Sequence, residues 1–225
     1  KTSEMNQKRI KIYEGLGKVL FTSARLTEAV DTYTTLLTIA TENQDVYAEV
    51  RSLTGLSKSQ HEMSNFSASL DTIEKAETIA RALGKAAQKE LVKALLQKSV
   101  ILAIALSDAE STLITAEEAF KLSFELDAKT EMAESLHWLG IGNRNLGRFE
   151  QAKSYEEQAH AIAKELGNPD RMWQTLGGLA EIDRQLGDYQ SAMCVFQEGL
   201  NLVKKTGLRY AEPLLLIRIG AIKVE

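Results

Sequence analysis

Residues 131–170 read EMAESLHWLGIGNRNLGRFEQAKSYEEQAHAIAKELGNPD, and residues 171–210 read RMWQTLGGLAEIDRQLGDYQSAMCVFQEGLNLVKKTGLRY. Laid one over the other, they agree at Leu136 and Leu176, Leu139 and Leu179, Arg144 and Arg184, Leu146-Gly147 and Leu186-Gly187, Ala152 and Ala192, Lys164 and Lys204, and Gly167 and Gly207. Phe149 is answered by Tyr189. Self-similarity at a fixed period of about forty residues means a repeat array, and it decides the fold class before any other reading.

Within each copy the apolar positions follow helical spacing, break at a Leu-Gly-x-aromatic corner, resume, and break again near Leu166-Gly167 or Thr206-Gly207. That predicts two helices per repeat, with glycine as the left-handed residue that ends a helix. Gly140 or Ala180 on the first helix, and Ala152 with Ala159 or Gly199 on the second, let helix axes approach closely. The order Leu-x-x-Leu-Gly, Gly-x-aromatic, Ala and Ala resembles the tetratricopeptide repeat. Its forty-residue period is similar to the variant found in bacterial and eukaryotic scaffold and signalling proteins. The resemblance implies an all-α fold, an α-α superhelix that forms a right-handed solenoid of antiparallel helix pairs.

The pattern extends outward from this double copy. Upstream, Tyr13, Leu16, Gly17 and Leu20 give a first helix, and Arg25-Leu26-Thr27-Glu28-Ala29 gives the corner. Leu53, Leu56 and Ser57 follow forty residues later, and Phe66, Ser69, Ile73 and Ala76 complete that repeat. The third repeat aligns only with three extra residues placed around Gly84 to Glu90. Its corner, Leu106-Ser107-Asp108-Ala109, lacks glycine and aromatic, which predicts a wider helix pair there. The expectation is one array over residues 1–225, with repeats at about 8–45, 46–90, 91–130, 131–170 and 171–210 and a final unpaired helix at 211–225, eleven helices in all. That last helix is apolar nearly all round. Leu214, Leu215, Ile217 and Ile222 lack obvious cover, so either further repeats or a second copy of the chain would meet them.

Composition agrees with this class and narrows the functions. Charged residues are 26% and apolar residues 44% of the 225, with a formal charge of −4. Such a balance gives no reason to expect nucleic acid or an anionic membrane as partner. No run of about 18 apolar residues exists to span a membrane. One cysteine, Cys194, excludes an internal disulfide, and within a helix it reads as a buried, inert thiol. The chain opens on Lys1 without an apolar signal core, which reads as a segment of a longer, cytoplasmic protein.

Catalytic signatures fail one by one. Gly15-Leu16-Gly17-Lys18 lacks the full phosphate-loop spacing and falls mid-helix. His61-Glu62 has no second histidine four residues on, and His61, His137 and His160 lie on different repeats, so no metal or cofactor is implied. The pairs Glu117-Glu118 and Glu156-Glu157 read as solvated helix faces. The chain is expected not to be an enzyme.

What remains is a surface. The resemblance implies that first helices line the inner side of the superhelix, and the stripe beside their core positions is then the candidate peptide-binding groove. It comprises Lys11, Glu14, Lys18 and Phe21, then Arg51, Thr54, Lys58 and His61, then Ala94, Gln97, Ile101 and Ile104. Glu134, His137, Ile141 and Arg144, then Gln174, Gly177, Glu181 and Arg184, continue it. Trp138 lies beside the stripe and Trp173 near the start of the fifth repeat; each is either a binding anchor or interhelical packing. A stripe basic at its N-terminal half, apolar in the middle and mixed beyond suits a protein or peptide with acidic and apolar residues, unless these charges are merely a solvated face. Gly15, Gly55 and Trp138 stand where a chaperone-tail carboxylate clamp would carry asparagine, so no such clamp is expected. Two functions fit: a protein- or peptide-binding scaffold segment of a signalling or regulatory protein, or a ligand-sensing module of a transcriptional or nucleotide-switch regulator. Fold alone does not choose between them.

Overall fold

At every junction between helices the backbone turns through a left-handed residue. A computed structural model describes residues 2–222, and in it the turn residues are Ala24, Gln44, Ser64, Gly84, Ser107, Asp127, Gly147, Gly167, Gly187 and Gly207. At Ala24, Gln44, Ser64, Asp127, Gly147, Gly167 and Gly187 the hydrogen bonds follow one scheme: Gly147 N–H donates to Arg144 O at 2.9 Å, and Arg148 N–H donates to Asn143 O at 2.9 Å. This closes the orphan carbonyls of the preceding helix and aims the chain into the next one. Asp45, Asp108, Asn168 and Asp188 then cap the following helices, each side chain accepting from the backbone three residues on at 3.0–3.1 Å.

Among the described residues there are eleven helices, the number the repeat predicts. They are α1 (Thr2–Thr22), α2 (Leu26–Glu42), α3 (Val46–Glu62), α4 (Phe66–Ala82), α5 (Gln88–Val100), α6 (Ala109–Glu125), α7 (Lys129–Asn145), α8 (Phe149–Glu165), α9 (Pro169–Gln185), α10 (Tyr189–Thr206) and α11 (Glu212–Ile222). Among the described residues there is no strand. A 3-10 turn, Gly84–Ala87, takes up the extra residues before α5, and a π-helical turn, Ile101–Ala105, follows it. The expected final helix over 211–225 is seen as α11; residues 223–225 lie outside the described ones.

The chain divides into two compact units between Ser107 and Asp108, within the third repeat. In the first unit α1 to α4 form two helix pairs and α5 packs on α3 and α4, while α1, α3 and α5 also touch in succession. In the second unit α6 to α11 pack in order, and α7 touches α9 directly. Each unit is therefore a layer of first helices backed by second helices. The small corner residue of every repeat, at Ala29, Ser69, Thr112, Ala152 and Ala192, is fully buried. In the second repeat a serine pair joins α3 to α4: Ser57 Oγ donates to Ser69 O at 2.9 Å and Ser69 Oγ donates to Ser57 O at 2.8 Å.

Two expectations are corrected. Cys194 is exposed, because the buried stripe of α10 runs through Ala192, Phe196, Gly199, Leu200 and Val203 and turns position 194 outward. On α11, Leu215 and Ile222 are covered by their own unit, packing with Phe196, Leu200 and Val203, whereas Leu214 and Ile217 are exposed.

Candidate partner-binding face

One register of the second helices decides how the first-helix layer is built. Tyr33, Ile73, Ala116, Glu156 and Phe196 occupy equivalent positions in the five repeats, and all five are buried. Tyr33 and Glu156 each stand where a second helix meets the seam between two first helices, and there the flanking first helices carry glycine. Gly17 and Gly55 face the ring of Tyr33, where an added β-carbon would lie 2.7 and 2.3 Å from it. Gly140 and Gly178 face Glu156 in the same way, at 2.8 and 2.3 Å. The close contact expected at Gly140 is thus real, but its partner is a glutamate side chain.

Glu156 is 1% exposed, so it does not belong to a solvated face as its pairing with Glu157 suggests. His137 Nδ1 lies 2.9 Å from both its carboxylate oxygens. His137 is itself buried, its ring tilted against Trp138 with centroids 5.4 Å apart. Reading the face from first helices alone misses Tyr33 and Glu156. The signal that finds them is a glycine sixteen residues before and another twenty-two after.

The predicted stripe separates into several environments. Lys11, Lys18 and Lys58 are exposed, as is Ile104. Arg51 is engaged: its Nε donates to Glu14 Oε1 at 2.6 Å and its Nη1 lies 3.6 Å from Glu90, so three successive first helices share one charge. His61 is half-buried with its ring 5.3 Å from that of Phe66, and burial, against the charge of Glu62, holds its pKa below the ordinary histidine range. Ile101 is fully buried and Trp138 is 8% exposed; both lie within packing. Trp173 packs edge-on to Tyr210, and its indole N–H donates to Asp170 at 2.9 Å.

In the second unit the stripe is more highly charged. Arg171 Nη2 lies 3.2 Å from Glu134, joining α9 to α7. Arg184 donates to Glu181 at 2.7 Å, and Arg218 of α11 approaches the same carboxylate at 3.9 Å. Burial raises the Glu181 carboxyl, and the hydrogen bond from Arg184 with the charges of Arg184, Arg144 and Arg218 more than reverses this. Arg144 is half-buried, and that burial pulls its guanidinium below the ordinary arginine range against the attraction of Glu181 and Glu156. Among the described residues no three His, Cys, Asp or Glu side chains gather as a metal site needs, and no helix is long and apolar enough to cross a membrane.

Comparison with known proteins agrees with this architecture. Residues 131–205 match the tetratricopeptide repeat family. No curated protein matches the sequence. Among solved structures, a Rap protein complexed with competence and sporulation factor is similar, with a TM-score of 0.76 and 17% identity over 95% of this chain and 59% of that one. The Rap conjugation gene regulator of plasmid pLS20, in complex with the Phr* peptide, gives 0.71 and 15%, over 85% and 52%. A signal transduction ATPase with numerous domains from Pyrococcus horikoshii, which has a tetratricopeptide repeat sensor, gives 0.67 and 19%, over 95% and 33%. The chain thus spans little more than half the length of these Rap proteins, and at such identities the likeness is one of fold. Residues 131–205 belong to the tetratricopeptide repeat family, and the described helices of each unit pack in the same tetratricopeptide-like way.

Proposed function

We propose that this chain is a partner-binding segment of a signalling or regulatory protein, without chemistry of its own, and that it holds a protein or peptide along the face of its first helices. One observation carries the reading. Among the described residues, the buried side-chain atoms without a hydrogen-bond partner are Gln60 Oε1, His61 Nδ1, Gln97 Nε2, Trp138 Nε1 and Arg144 Nε, and all five sit on first helices. Buried polar groups are nearly always paired, so this clustering marks the first helices as the layer whose polar side chains the fold's own packing leaves unmatched. Exposed Lys11, Lys18 and Lys58, beside exposed Ile12, Leu16 and Val19, suit a partner with acidic and apolar residues. The Rap structures of like fold hold a factor and a peptide, which supports a peptide as the partner here.

The likeness to the sensor-bearing ATPase supports a second reading, a ligand-sensing module of a larger switch. Self-association through α11 belongs with either, since Leu214 and Ile217 stand exposed there. The test of the first reading uses a photo-crosslinking residue at Lys18, Lys58 or Gln174 on first helices, and at Lys75 or Lys121 on second helices. With a random pool of acetylated nonapeptides, labelling is expected from the first set; equal labelling from both counts against the reading.

A further inference from the structure

The second helices share one outward face, and α6 departs from it. The buried positions Tyr33, Ile73, Ala116, Glu156 and Phe196 fix their common register. Two residues before that position the other four second helices carry Asp31, Asp71, Ser154 and Cys194, and eight residues after it Thr41, Arg81, Lys164 and Lys204, all exposed. On α6 the same two places hold Ile114 and Phe124, 71% and 67% exposed. The fold has no need of an apolar side chain at either place, since small or polar ones serve in the remaining repeats. Phe120 lies beside Phe124, with ring centroids 6.4 Å apart, and still leaves most of that ring in water.

Ile114, Glu117, Lys121 and Phe124 follow one another at spacings of three, four and three, and Glu110 extends the row by four. They therefore form one stripe, on the side of α6 opposite its buried Thr112, Ala116, Ala119 and Ser123. All five stripe residues are exposed, and the row is roughly 21 Å long, enough for four turns of a second helix laid along it. The sign of the charge narrows what that helix can be. α6 carries four glutamates and one lysine, a net charge of −3. Such a face repels an anionic bilayer, and a second copy meeting it here would bring the same excess of negative charge.

We propose that the outer stripe of α6 is a docking surface for a basic amphipathic helix of another protein. Its apolar side chains seat against Ile114 and Phe124, and its lysines or arginines face Glu110 and Glu117. Apolar anchors at three- and four-residue spacing are how one helix reads another, and the opposite charges beside them set orientation and exclude wrong partners. This surface belongs to a second helix, so it is additional to the first-helix face and does not rest on it. Isolated helices shorter than about 12–15 residues are marginal in water, so the nonapeptides that probe the first helices are too short to occupy it.

The test displays a library of helices about twenty residues long and selects them on the full chain. Each has an apolar stripe at three- and four-residue spacing, with Lys, Glu, Gln and Ala drawn equally at the flanking positions. The retained helices are expected to favour Lys over Glu at the flanks about tenfold. Ile114→Ser with Phe124→Lys installs the residues α8 carries at these places; it should melt as the parent does and weaken the retained helices about tenfold or more. Glu117→Lys should fold equally well and reduce the preference for Lys, while the apolar stripe is still required. A parent that retains no helix, retained helices without a preference for Lys, or a double variant that holds them as the parent does overturns the proposal. So does a double variant that melts well below the parent, which would make Ile114 and Phe124 packing residues. A parent that self-associates at micromolar concentration, where the double variant does not, gives the stripe to a second copy and overturns it as well. Each of these outcomes leaves the first-helix reading standing.

Discussion

A β-carbon on Gly178 of α9 would lie 2.3 Å from Oε1 of Glu156 on α8, so the carboxylate stands in space that only a glycine leaves open. Gly140 bounds it from α7, and His137 meets both its oxygens at 2.9 Å. In the other repeats the same register holds Tyr33, Ile73, Ala116 and Phe196, and the glycine pair recurs around Tyr33. The window thus has the form that takes an aromatic ring, and here it is filled by an acid.

That comparison predicts which substitutions the second unit tolerates. Glu156→Tyr places in the window the side chain that its counterpart holds, and removes a buried acid. Stability within about 1 kcal/mol of the parent is expected by chemical denaturation. His137→Ala leaves the carboxylate without its partner and should cost about 1–3 kcal/mol. If the tyrosine is the more damaging of the two, the seam at Glu156 is not equivalent to that at Tyr33.

Two mid-helix glycines of the first unit should respond to alanine with opposite signs. Gly15 on α1 has nothing within 4 Å of an added β-carbon, so Gly15→Ala gains helix propensity, up to about 1 kcal/mol. Gly55 on α3 faces the ring of Tyr33 at 2.3 Å, and a buried ring cannot yield as a flexible chain end does. Gly55→Ala should lose about 1–3 kcal/mol through overpacking. Thermal melts of the two variants in parallel check this, and a shift of the same sign in both would show the seam to be looser than described.

Much of the architecture is legible in the sequence because glycine marks it: Gly147, Gly167, Gly187 and Gly207 all take the left-handed turn their positions suggest. The upstream corners are harder to read, since Ala24, Gln44, Ser64, Ser107 and Asp127 adopt the same turn at φ between 49° and 60°. There the packing of flanking helices overrides a local preference of about 1–2 kcal/mol. The stripe proposed as the partner-binding face is written in the sequence by spacing alone, and spacing does not settle which of its side chains are exposed. Ile101 and His137 fall on it by spacing and Trp138 beside it, yet all three are buried, because a first helix is flanked by neighbouring first helices as well as backed by second ones. Glu156 is hidden for a different reason: a carboxylate beside another carboxylate reads as solvent-facing, and only its register with Phe196 forty residues on reveals burial.

Acid should weaken the first unit through Glu77. Burial pushes this carboxyl up, but hydrogen bonds from Lys98 at 2.8 Å and Arg81 at 2.9 Å more than offset it, so its pKa in the folded chain lies below the ordinary value. A lowered folded-state pKa means stability that is complete above the ordinary carboxylate range and is lost as pH falls through the lowered value. Glu77→Gln should therefore be less stable than the parent near neutrality, and the difference should shrink as pH falls. A gap that is the same at both ends of the titration would mean that the ion pair contributes nothing.

The last expectation concerns α11 and sets a ceiling on self-association. Leu215 and Ile222 are already covered by α10, which leaves Leu214 at 48%, Leu216 at 47% and Ile217 at 69% exposure on this helix. Fully burying a Leu or Ile contributes about 1.5–3 kcal/mol, so the partly exposed side chains of two copies, set against the several kcal/mol that association itself costs, fall short of the roughly 8 kcal/mol that a micromolar dimer requires. Association through this helix alone should thus be weak: a monomer at about 10 μM, with a second copy taken up only toward several hundred micromolar. Sedimentation equilibrium across that range is the measurement. Leu214→Glu with Ile217→Glu should abolish the high-concentration species, because a two-fold contact sets each charge against its own copy in an apolar surface. A tight dimer at 10 μM, or a double variant that associates as the parent does, would show that copies meet through a different surface, and the exposed stripe of α1 through Ile12, Leu16 and Val19 would be the next one to charge.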